Sequence, residues 1–309
     1  MNILITGATG FIGSHLLKRL LAQKYRIIIL KRTTSDLGRI NDLIKEIRFY
    51  NVDQLVNLDK IFVENKIDII IHLSAMYSKE DKGKKMESQM DKINIKIPKK
   101  LLETAIKYEV KGFINTGTFF EYSLKTNKPI SEASKIDPYN YYTITKIQFE
   151  KILAESARNG KIKAVTLKLF SPYGENDNKK VIPLIIKSIL TDQRLFLTKG
   201  NQKLAFTYVE DIVDAYILAI RYLNNQNLKY DFFNIGNNRS YSLKEAVSFI
   251  RDISKKNIKV EFGKINNNKD ENLDVHCDTT KAKLKLKWEA RTSLLSGLKK
   301  TYNSYKKTI

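Results

Sequence analysis

Residues 6–13 read T-G-A-T-G-F-I-G, and three glycines here stand between a predicted strand and a predicted amphipathic helix. Gly7 permits a tight turn, Gly10 lets backbone amides approach a pyrophosphate, and Gly13 lets the helix pack closely on the sheet. The pattern predicts a dinucleotide-binding turn at the helix amino end, and a plain strand-turn-helix is the alternative. The expected cofactor contacts in this segment are Gly7, Thr9, Gly10, Phe11, Ile12 and Gly13.

Apolar runs and helical spacings alternate along the first 170 residues. Residues 27–30 and 69–71 are continuously apolar, which is typical of parallel strands buried on both faces. The alternation predicts an α/β fold with a parallel sheet whose faces are covered by helices. The predicted strands are 2–6, 26–30, 47–50, 69–73, 112–116 and 164–169, and the predicted helices are 14–23, 97–107 and 145–157.

The charge of the chain is strongly positive. Its 309 residues carry 55 Lys+Arg against 33 Asp+Glu, a formal net charge of +22, with 44 lysines and 11 arginines spread evenly. A nucleic-acid binder usually concentrates its charge on one face and uses arginine forks for phosphates. We therefore expect no specific nucleic-acid partner, although a positive field would gather an anionic small substrate.

The composition also indicates the cellular compartment of the protein. No apolar run approaches the ~18 uncharged residues of a membrane helix, so we expect no membrane association. The chain opens on a strand pattern, so no signal peptide is expected. The single cysteine, Cys277, cannot form an internal disulfide, and a cytoplasmic location is the expectation. No metal site is predicted.

The end of the second predicted strand selects the nicotinamide cofactor. A protein that prefers NAD would carry an acidic residue here to hold the adenosine ribose, but this chain carries Lys31 and Arg32. Lysine and arginine pair with the extra phosphate of NADP, so the site predicts NADP. The alternative is that two surface cations occur here by accident in a lysine-rich chain.

Tyr142 and Lys146 stand one helical turn apart, on one predicted helix face. Composition alone produces such pairs, and Tyr302 with Lys306 is a second one. The first pair is favoured because it follows Thr118, which comes just after a predicted strand. A lysine beside a phenol is expected to lower the phenol pKa so that it exchanges a proton near neutral pH, while a nearby hydroxyl orients a carbonyl.

Together these motifs resemble the extended short-chain dehydrogenase/reductases, the nucleotide-sugar epimerase, dehydratase and reductase superfamily. The resemblance runs over most of the chain. Beyond the glycine turn, it rests on Asp53, His72-Leu73-Ser74-Ala75, Asn94, Thr116-Gly117-Thr118, Tyr142 with Lys146, Phe170-Ser171-Pro172-Tyr173-Gly174, Tyr208-Val209-Glu210-Asp211 and Asp278-Thr279-Thr280-Lys281-Ala282.

The resemblance implies a Rossmann-type, doubly wound NADP-binding domain at residues 1–170, with a return at about 207–236. A smaller mixed α/β nucleotide-sugar-binding domain would comprise 171–206 and 237–309. Homodimers built from the helices around residues 95 and 150 are also implied. Tyr142 would be the proton donor or acceptor, Lys146 its electrostatic partner and ribose contact, and Thr118 the hydroxyl that orients the sugar oxygen. Further implied cofactor contacts are Asp53, Leu73, Ser74, Ala75, Thr116 and Pro172.

Departures from the family narrow the reaction. The 4,6-dehydratases place an acidic pair just after the threonine, but this chain has Phe119 and Phe120, and Glu121 stands one residue too late. Phenylalanines cannot perform acid-base chemistry, so dehydration is disfavoured. The segment resembles the CDP-abequose and CDP-paratose synthase group of 4-ketoreductases, in which the phenylalanines would line a deoxygenated sugar face.

The predicted substrate contacts lie where this chain differs from many of its relatives. Ser171 replaces the asparagine of many relatives, and residues 204–205 replace the arginine segment that clamps a diphosphate. Lys203 and Lys269 are candidate phosphate contacts, or else solvated lysines. The favoured function is an NADPH-dependent reductase of a nucleotide 4-keto-deoxysugar. The alternatives are an NAD-dependent nucleotide-sugar 4-epimerase and, from another class, a non-catalytic NADP-binding sensor.

Overall fold

A computed structural model describes residues 1–52, 58–77, 83–126, 129–178, 180–256, 259–265 and 273–309. Its strands are β1 (Asn2–Thr6), β2 (Arg26–Lys31), β3 (Arg48–Asn51), β4 (Ile69–His72), β5 (Gly112–Thr118), β6 (Lys163–Leu169), β7 (Pro172–Tyr173), β8 (Leu195–Phe196), β9 (Lys203–Leu204), β10 (Thr207–Tyr208), β11 (Tyr230–Ile235), β12 (Tyr241–Ser242) and β13 (Val260–Glu261). Its α-helices are α1 (Phe11–Ala22), α2 (Leu58–Asn65), α3 (Lys84–Asp91), α4 (Ile97–Lys107), α5 (Tyr141–Arg158), α6 (Val181–Leu190), α7 (Val209–Tyr222), α8 (Leu243–Ser254) and α9 (Leu294–Thr308). Every strand and helix predicted from the sequence is confirmed, with ends that differ by a few residues.

The main sheet of the described residues has seven strands in the order β11-β6-β5-β4-β1-β2-β3. Strand β1 pairs in parallel with both β2 and β4, so the chain order reverses around β1. Ligands of open parallel sheets bind outside the carboxyl ends of the strands, at such a reversal. The architecture is the predicted Rossmann-like α/β fold.

Local sequence explains the two helices that matter most for the site. In α1, Leu16, Leu17 and Leu20 are buried, which fixes the helix on the sheet. Helix α5 begins at Tyr141, earlier than the apolar spacing predicts. The reason is a capping box, in which Asn140 Oδ1 accepts the Thr143 amide hydrogen over 3.1 Å and Thr143 Oγ1 accepts that of Asn140 over 3.0 Å.

The chain divides into two compact units. The first comprises Met1–Ser123, Lys135–Lys168 and Val213–Phe233, and the second comprises Leu124–Ser134, Leu169–Ile212 and Asn234–Ile309. These bounds differ from the expected ones chiefly in residues 124–134, which belong to the second unit, and in the return, which starts at residue 213. The ligands expected for each domain stay a prediction.

Each unit has its own interior. In the first, the carboxyl-terminal part of α5 packs through Phe149 and Leu153 into an apolar core with Leu4, Ile28 and Ile70 from the central strands. In the second, α6, α8 and α9 pack on one another. The Trp288 indole donates to the Asp211 carbonyl over 2.7 Å in that unit. Among the described residues, no helix has both the length and the apolar character needed to cross a membrane.

Candidate active site

The carboxyl ends of β1, β4 and β5 meet in one row in the first unit. Thr6 lies opposite His72, and His72 lies opposite Asn115, in the register of the three strands. The segments that follow these strands are therefore neighbours. The Ser74 amide donates to Thr6 Oγ1 over 3.3 Å, and Thr116 Oγ1 donates to the His72 carbonyl over 2.8 Å. Predicted cofactor residues from three separate segments are thus brought to one edge of the sheet.

The glycine turn has the shape that an anionic group requires. Gly7 has φ of +76°, and a Cβ there would lie 2.8 Å from the Ser74 amide nitrogen. A Cβ on Gly13 would overlap the Gly7 carbonyl oxygen. At Gly10, the N-cap of α1, a Cβ would come near the Gly7 oxygen alone, and no side chain caps the helix amides. The turn therefore fits the pyrophosphate of a dinucleotide, which these amides and their helix would hold.

Two basic residues lie at the end of β2. The Lys31 ammonium donates to Asn51 Oδ1 over 2.8 Å and lies 5.2 Å from the centre of the Phe49 ring. Arg32 is exposed, and its backbone amide donates to Ser35 Oγ over 3.1 Å. No acidic side chain of the described residues pairs with the Arg32 guanidinium. A second phosphate on the adenosine ribose would find two cations here.

Thr118 is the last residue of β5 and is 8% exposed. Its Oγ1 accepts the Phe120 amide hydrogen over 3.4 Å, which leaves the hydroxyl hydrogen for another acceptor. The rings of Phe119 and Phe120 stack with their centres 4.1 Å apart, and Phe119 is buried. The positions after Thr118 therefore supply apolar surface and no acid or base.

Tyr142 and Lys146 project from the first two turns of α5. Tyr142 is half-buried, and Lys146 is 3% exposed. Tyr77, which follows β4, packs edge-to-face against Tyr142 with ring centres 5.0 Å apart. No described side chain accepts a hydrogen bond from the Lys146 ammonium. A phenol and a buried ammonium on one helix face form a candidate proton-transfer pair.

The electrostatics of this pair correct one expectation. Burial raises the pKa of Tyr142 far above 10, and the charge of Glu121 raises it further. Burial lowers the pKa of Lys146, while Glu121 and Glu150 oppose that change. The expected lowering of the Tyr142 pKa by a neighbouring lysine is wrong. Removal of the phenol from water is the largest cause of the shift.

Asn94 fastens the segment after β4 to α5. Its side-chain oxygen accepts the Met76 amide hydrogen over 2.7 Å, and its side-chain nitrogen donates to the Met76 carbonyl over 2.9 Å. The same nitrogen donates to Thr145 Oγ1 over 2.9 Å. Asn94 lies in a π-helical turn, residues 92–96, a local widening common at functional sites.

Several other residues predicted to bind cofactor or substrate are not among the described residues of the first unit. Ser171, Pro172 and Lys203 lie in the second unit, and Asp53 and Lys269 lie outside the described residues. Ser171 has φ of +34°, a strained value for a non-glycine residue. Lys203 Nζ lies 3.7 Å from Asp274 Oδ2, so its charge is shared with a carboxylate. Their roles stay predictions.

Sequence reasoning missed a buried ionic cluster beside Thr118, formed by Glu121, Glu150 and Lys168. A signal for it does exist in the sequence. Lys168 interrupts the apolar strand β6, and a lysine on a buried strand requires a carboxylate partner. The three residues come from a turn, a helix and a strand that are distant in sequence, so the spacing could not identify the partners.

Residues 3–236 match the NAD dependent epimerase/dehydratase family. The chain belongs to that family. The resemblance to extended short-chain dehydrogenase/reductases that act on nucleotide sugars is thereby confirmed, and the protein is an enzyme of this group.

Individual relatives of this family align over nearly the whole chain. CDP-abequose synthase of Salmonella muenchen is 28% identical, with 97% of this chain and 96% of the relative covered. The solved UDP-glucose 4-epimerase of Thermotoga maritima, with UDP-glucose, is 28% identical, with a TM-score of 0.88 and coverage of 100% and 99%. The UDP-glucuronic acid 4-epimerase of Bacillus cereus, solved with UDP-glucuronic acid and NAD, is 27% identical, with a TM-score of 0.89 and full coverage of both chains.

Proposed function

We propose that the protein reduces the 4-keto group of a nucleotide-linked deoxysugar, with NADPH as the reductant. The observation that carries the proposal is the end of β2, where Lys31 and the exposed Arg32 occupy the position of the acidic residue that would hold a ribose hydroxyl. A cofactor with a 2′-phosphate fits these cations. NADPH is spent in reductions, so this preference favours a reductase over an epimerase that recycles a resident NAD.

The chain's own residues would act as follows. When bound, NADPH supplies the hydride that adds to C4 of the sugar. Thr118 donates a hydrogen bond to the carbonyl oxygen as negative charge develops there. Tyr142 gives its phenolic proton to that oxygen, and the C4 hydroxyl is formed. The buried Lys146 ammonium stabilises the phenolate until it regains a proton from solvent.

The substrate class rests on the residues beside Thr118. Phe119 is buried and its ring stacks on that of the half-buried Phe120, which can offer apolar surface to a sugar face that lacks a hydroxyl. A 4,6-dehydratase would need an acid and a base at this place, and the rings provide neither. The similarity to CDP-abequose synthase supports a reductase of a deoxysugar. We expect an anionic nucleotide diphosphate as the carrier, drawn by the net charge of +22.

The test is consumption of NADPH and NADH by purified protein, followed through the absorbance of the reduced nicotinamide. The panel comprises CDP-, dTDP-, GDP- and UDP-linked 4-keto-6-deoxy and 3,6-dideoxy sugars. Stoichiometric oxidation of NADPH with one nucleotide class is the expected result. Faster turnover with NADH, or no turnover with any keto sugar, would contradict the proposal.

A second candidate function is an NAD-dependent nucleotide-sugar 4-epimerase. The similarity to two solved 4-epimerases over their full length favours it. An epimerase would interconvert UDP-hexoses without net consumption of cofactor, so a sugar-exchange assay with bound NAD separates the two functions. Binding of NADP without turnover in either assay would favour the third reading, a sensor. We also propose a homodimer, which sedimentation equilibrium would test.

A further inference from the structure

A buried carboxylate links the end of β5 to the neighbouring strand β6. Glu121 Oε1 accepts the Thr118 amide hydrogen over 2.9 Å, and Glu121 Oε2 lies 2.8 Å from Lys168 Nζ on β6. Lys168 Nζ also lies 3.3 Å from Glu150 Oε1 on α5, so the ammonium has two acidic partners. The two oxygens of one side chain therefore join the Thr118 backbone to a charge on the next strand.

Burial restricts the movement of this carboxylate. The Glu121 and Lys168 side chains are 0% and 4% exposed, so water is not at hand to replace either contact. A carboxylate in such a place is stable only while its oxygens have hydrogen-bond donors and a counter-charge. Rotation of the Glu121 side chain away from the Thr118 amide would give up both. The carboxylate therefore holds the backbone from which the Thr118 hydroxyl projects.

The residue before Thr118 makes room for the ion pair. A Cβ at Gly117 would lie 3.0 Å from Lys168 Cγ and 3.1 Å from Glu121 Oε1, and both distances are shorter than side chains ordinarily allow. The glycine between Thr116 and Thr118 thus leaves the space in which the lysine stem and the carboxylate meet. A short motif therefore provides both the hydroxyl and the room for the pair that holds it.

Backbone hydrogen bonds hold the other end of the turn that follows β5. The Tyr139 amide donates to the Phe120 carbonyl over 3.1 Å, and the Asp137 amide donates to the Glu121 carbonyl over 3.0 Å. These bonds do not involve the Glu121 side chain. Replacement of the carboxylate should therefore leave the turn in place and loosen only the end at which Thr118 lies.

We propose that Glu121 and Lys168 are positioning residues for the Thr118 hydroxyl: Glu121 holds the Thr118 backbone at the end of β5, and Lys168 holds the Glu121 carboxylate. The inference rests on the proposed function, in which Thr118 donates a hydrogen bond to the sugar carbonyl oxygen. Displacement of such a group by about 1 Å can slow a reaction about a hundredfold. Both residues act on the reaction only through Thr118.

Glu121→Met tests the role of the carboxylate. Methionine has a similar length but does not replace the carboxylate as an acceptor, and Lys168 keeps Glu150 as its acidic partner, so the fold should persist. We expect kcat for reduction to fall at least about tenfold with an unchanged KM for NADPH, because the glycine turn is not altered. In a Thr118→Val background, which already lacks the hydroxyl, the same substitution should change kcat less than about twofold. An equal loss in both backgrounds would overturn the positioning role.

Lys168→Met tests the role of the ammonium, and Lys111→Met is its matched control. Lys111 Nζ lies 2.7 Å from Asp68 Oδ1, and Asp68 Oδ2 accepts the Asn2 amide hydrogen over 2.8 Å, so the same arrangement occurs at the amino ends of the strands. We expect kcat to fall at least about fivefold in Lys168→Met and less than about twofold in Lys111→Met. Lys168→Gln, which stays polar, takes the place of Lys168→Met if that protein does not fold. Equal kcat at the two sites would overturn the role of Lys168.

Hydrogen exchange of the Thr118 amide needs no substrate and so separates this inference from the proposed reduction. NMR of protein that contains isotope-labelled threonine reports this amide, and the Thr143 amide, which donates to Asn140 Oδ1 over 3.1 Å, is the internal reference. We expect exchange at Thr118 to be at least about tenfold faster in Glu121→Met, with no change at Thr143. If this is seen while no keto sugar is reduced, the proposed function fails and the hold of Glu121 on Thr118 stands. Unchanged exchange at Thr118, or equal acceleration at both amides, would overturn the inference whatever the substrate.

Discussion

The side-chain nitrogen of Asn94 donates to Thr145 Oγ1 over 2.9 Å, while both polar atoms of the same side chain bond the Met76 backbone. One buried amide thereby joins the segment after β4 to the helix that carries Tyr142 and Lys146. Thr145 Oγ1 in turn donates to the Tyr142 carbonyl over 2.7 Å. The Tyr142 backbone is thus tied by hydrogen bonds to the segment that follows β4.

Asn94→Ala should therefore destabilise the protein. Asn94 is 2% exposed, and its truncation would leave the Met76 amide and carbonyl without partners, at a cost of about 2–3 kcal/mol in the free energy of unfolding. Urea unfolding measures this. A double-mutant cycle with Thr145→Val should give a coupling of about 1 kcal/mol. Simple additivity of the two substitutions would argue against the bond.

Alanine substitutions at Gly13 and at Gly10 should impair different properties, stability in the first case and NADPH binding in the second. The new methyl group at Gly13 would overlap the Gly7 carbonyl oxygen, so Gly13→Ala should lower the free energy of unfolding by about 1–3 kcal/mol. At Gly10 the methyl group would lie 3.1 Å from that same oxygen and otherwise in open space. Gly10→Ala should fold normally yet bind NADPH at least about tenfold more weakly. Thermal unfolding and a fluorescence titration distinguish the two, and equal NADPH affinity in Gly10→Ala would refute the pyrophosphate site.

Tyr142→Phe should leave NADPH binding nearly intact and slow reduction by about 10²–10⁴-fold, because the proton donor is lost. Tyr141→Phe is the matched control, since Tyr141 is the preceding residue of α5 and its hydroxyl donates to Asp91 Oδ1 over 2.9 Å. Single-turnover rates with saturating NADPH measure the effect. A similar loss in both variants would point to a general disturbance of α5 and away from Tyr142 chemistry.

Arg32→Asp should shift cofactor preference toward NADH, since the new carboxylate would repel a 2′-phosphate and suit ribose hydroxyls. We expect the ratio of kcat/KM for NADPH and NADH to fall by at least about tenfold, the equivalent of one charge-assisted contact. Lys161→Asp makes the same charge reversal at an exposed residue before β6, at the amino edge of the sheet. Equal ratios in the two variants would mean that Arg32 does not contact the phosphate.

His72 should make stability depend on pH. Burial, with a smaller effect of the Lys146 charge, lowers the pKa of His72 to about 3, whereas an unfolded histidine titrates near 6.5. Between these two pH values, the unfolded chain thus binds a proton at His72 that the folded chain does not bind. The free energy of unfolding should fall by up to about 1.4 kcal/mol per pH unit as pH drops from 6.5 toward 3. His72→Gln should flatten this dependence although it loses the contact with Thr6, and an unchanged slope would contradict the assignment.

The sequence predicts those features of the fold and site that depend only on residues close together in the chain. The glycine turn, the apolar strands and the pair on α5 each follow from a short segment, and the structure confirms the elements that contain them. The start of α5 was predicted late because the cap at Asn140 outweighs the apolar spacing. The sign of the Tyr142 pKa shift was wrong because it depends on burial. The partners of Lys168 lie in distant segments, and only the folded chain brings them together.

The order of the strands in the main sheet has a consequence for the evolution of the enzyme. Lys31 ends β2 and Thr118 ends β5, and the strands between them are β1 and β4. Three strand spacings separate the two residues by about 14 Å. Substitutions that far apart usually have additive effects. Under the proposed function, cofactor preference and sugar chemistry can therefore change independently, and variants selected for one property can be combined with variants selected for the other.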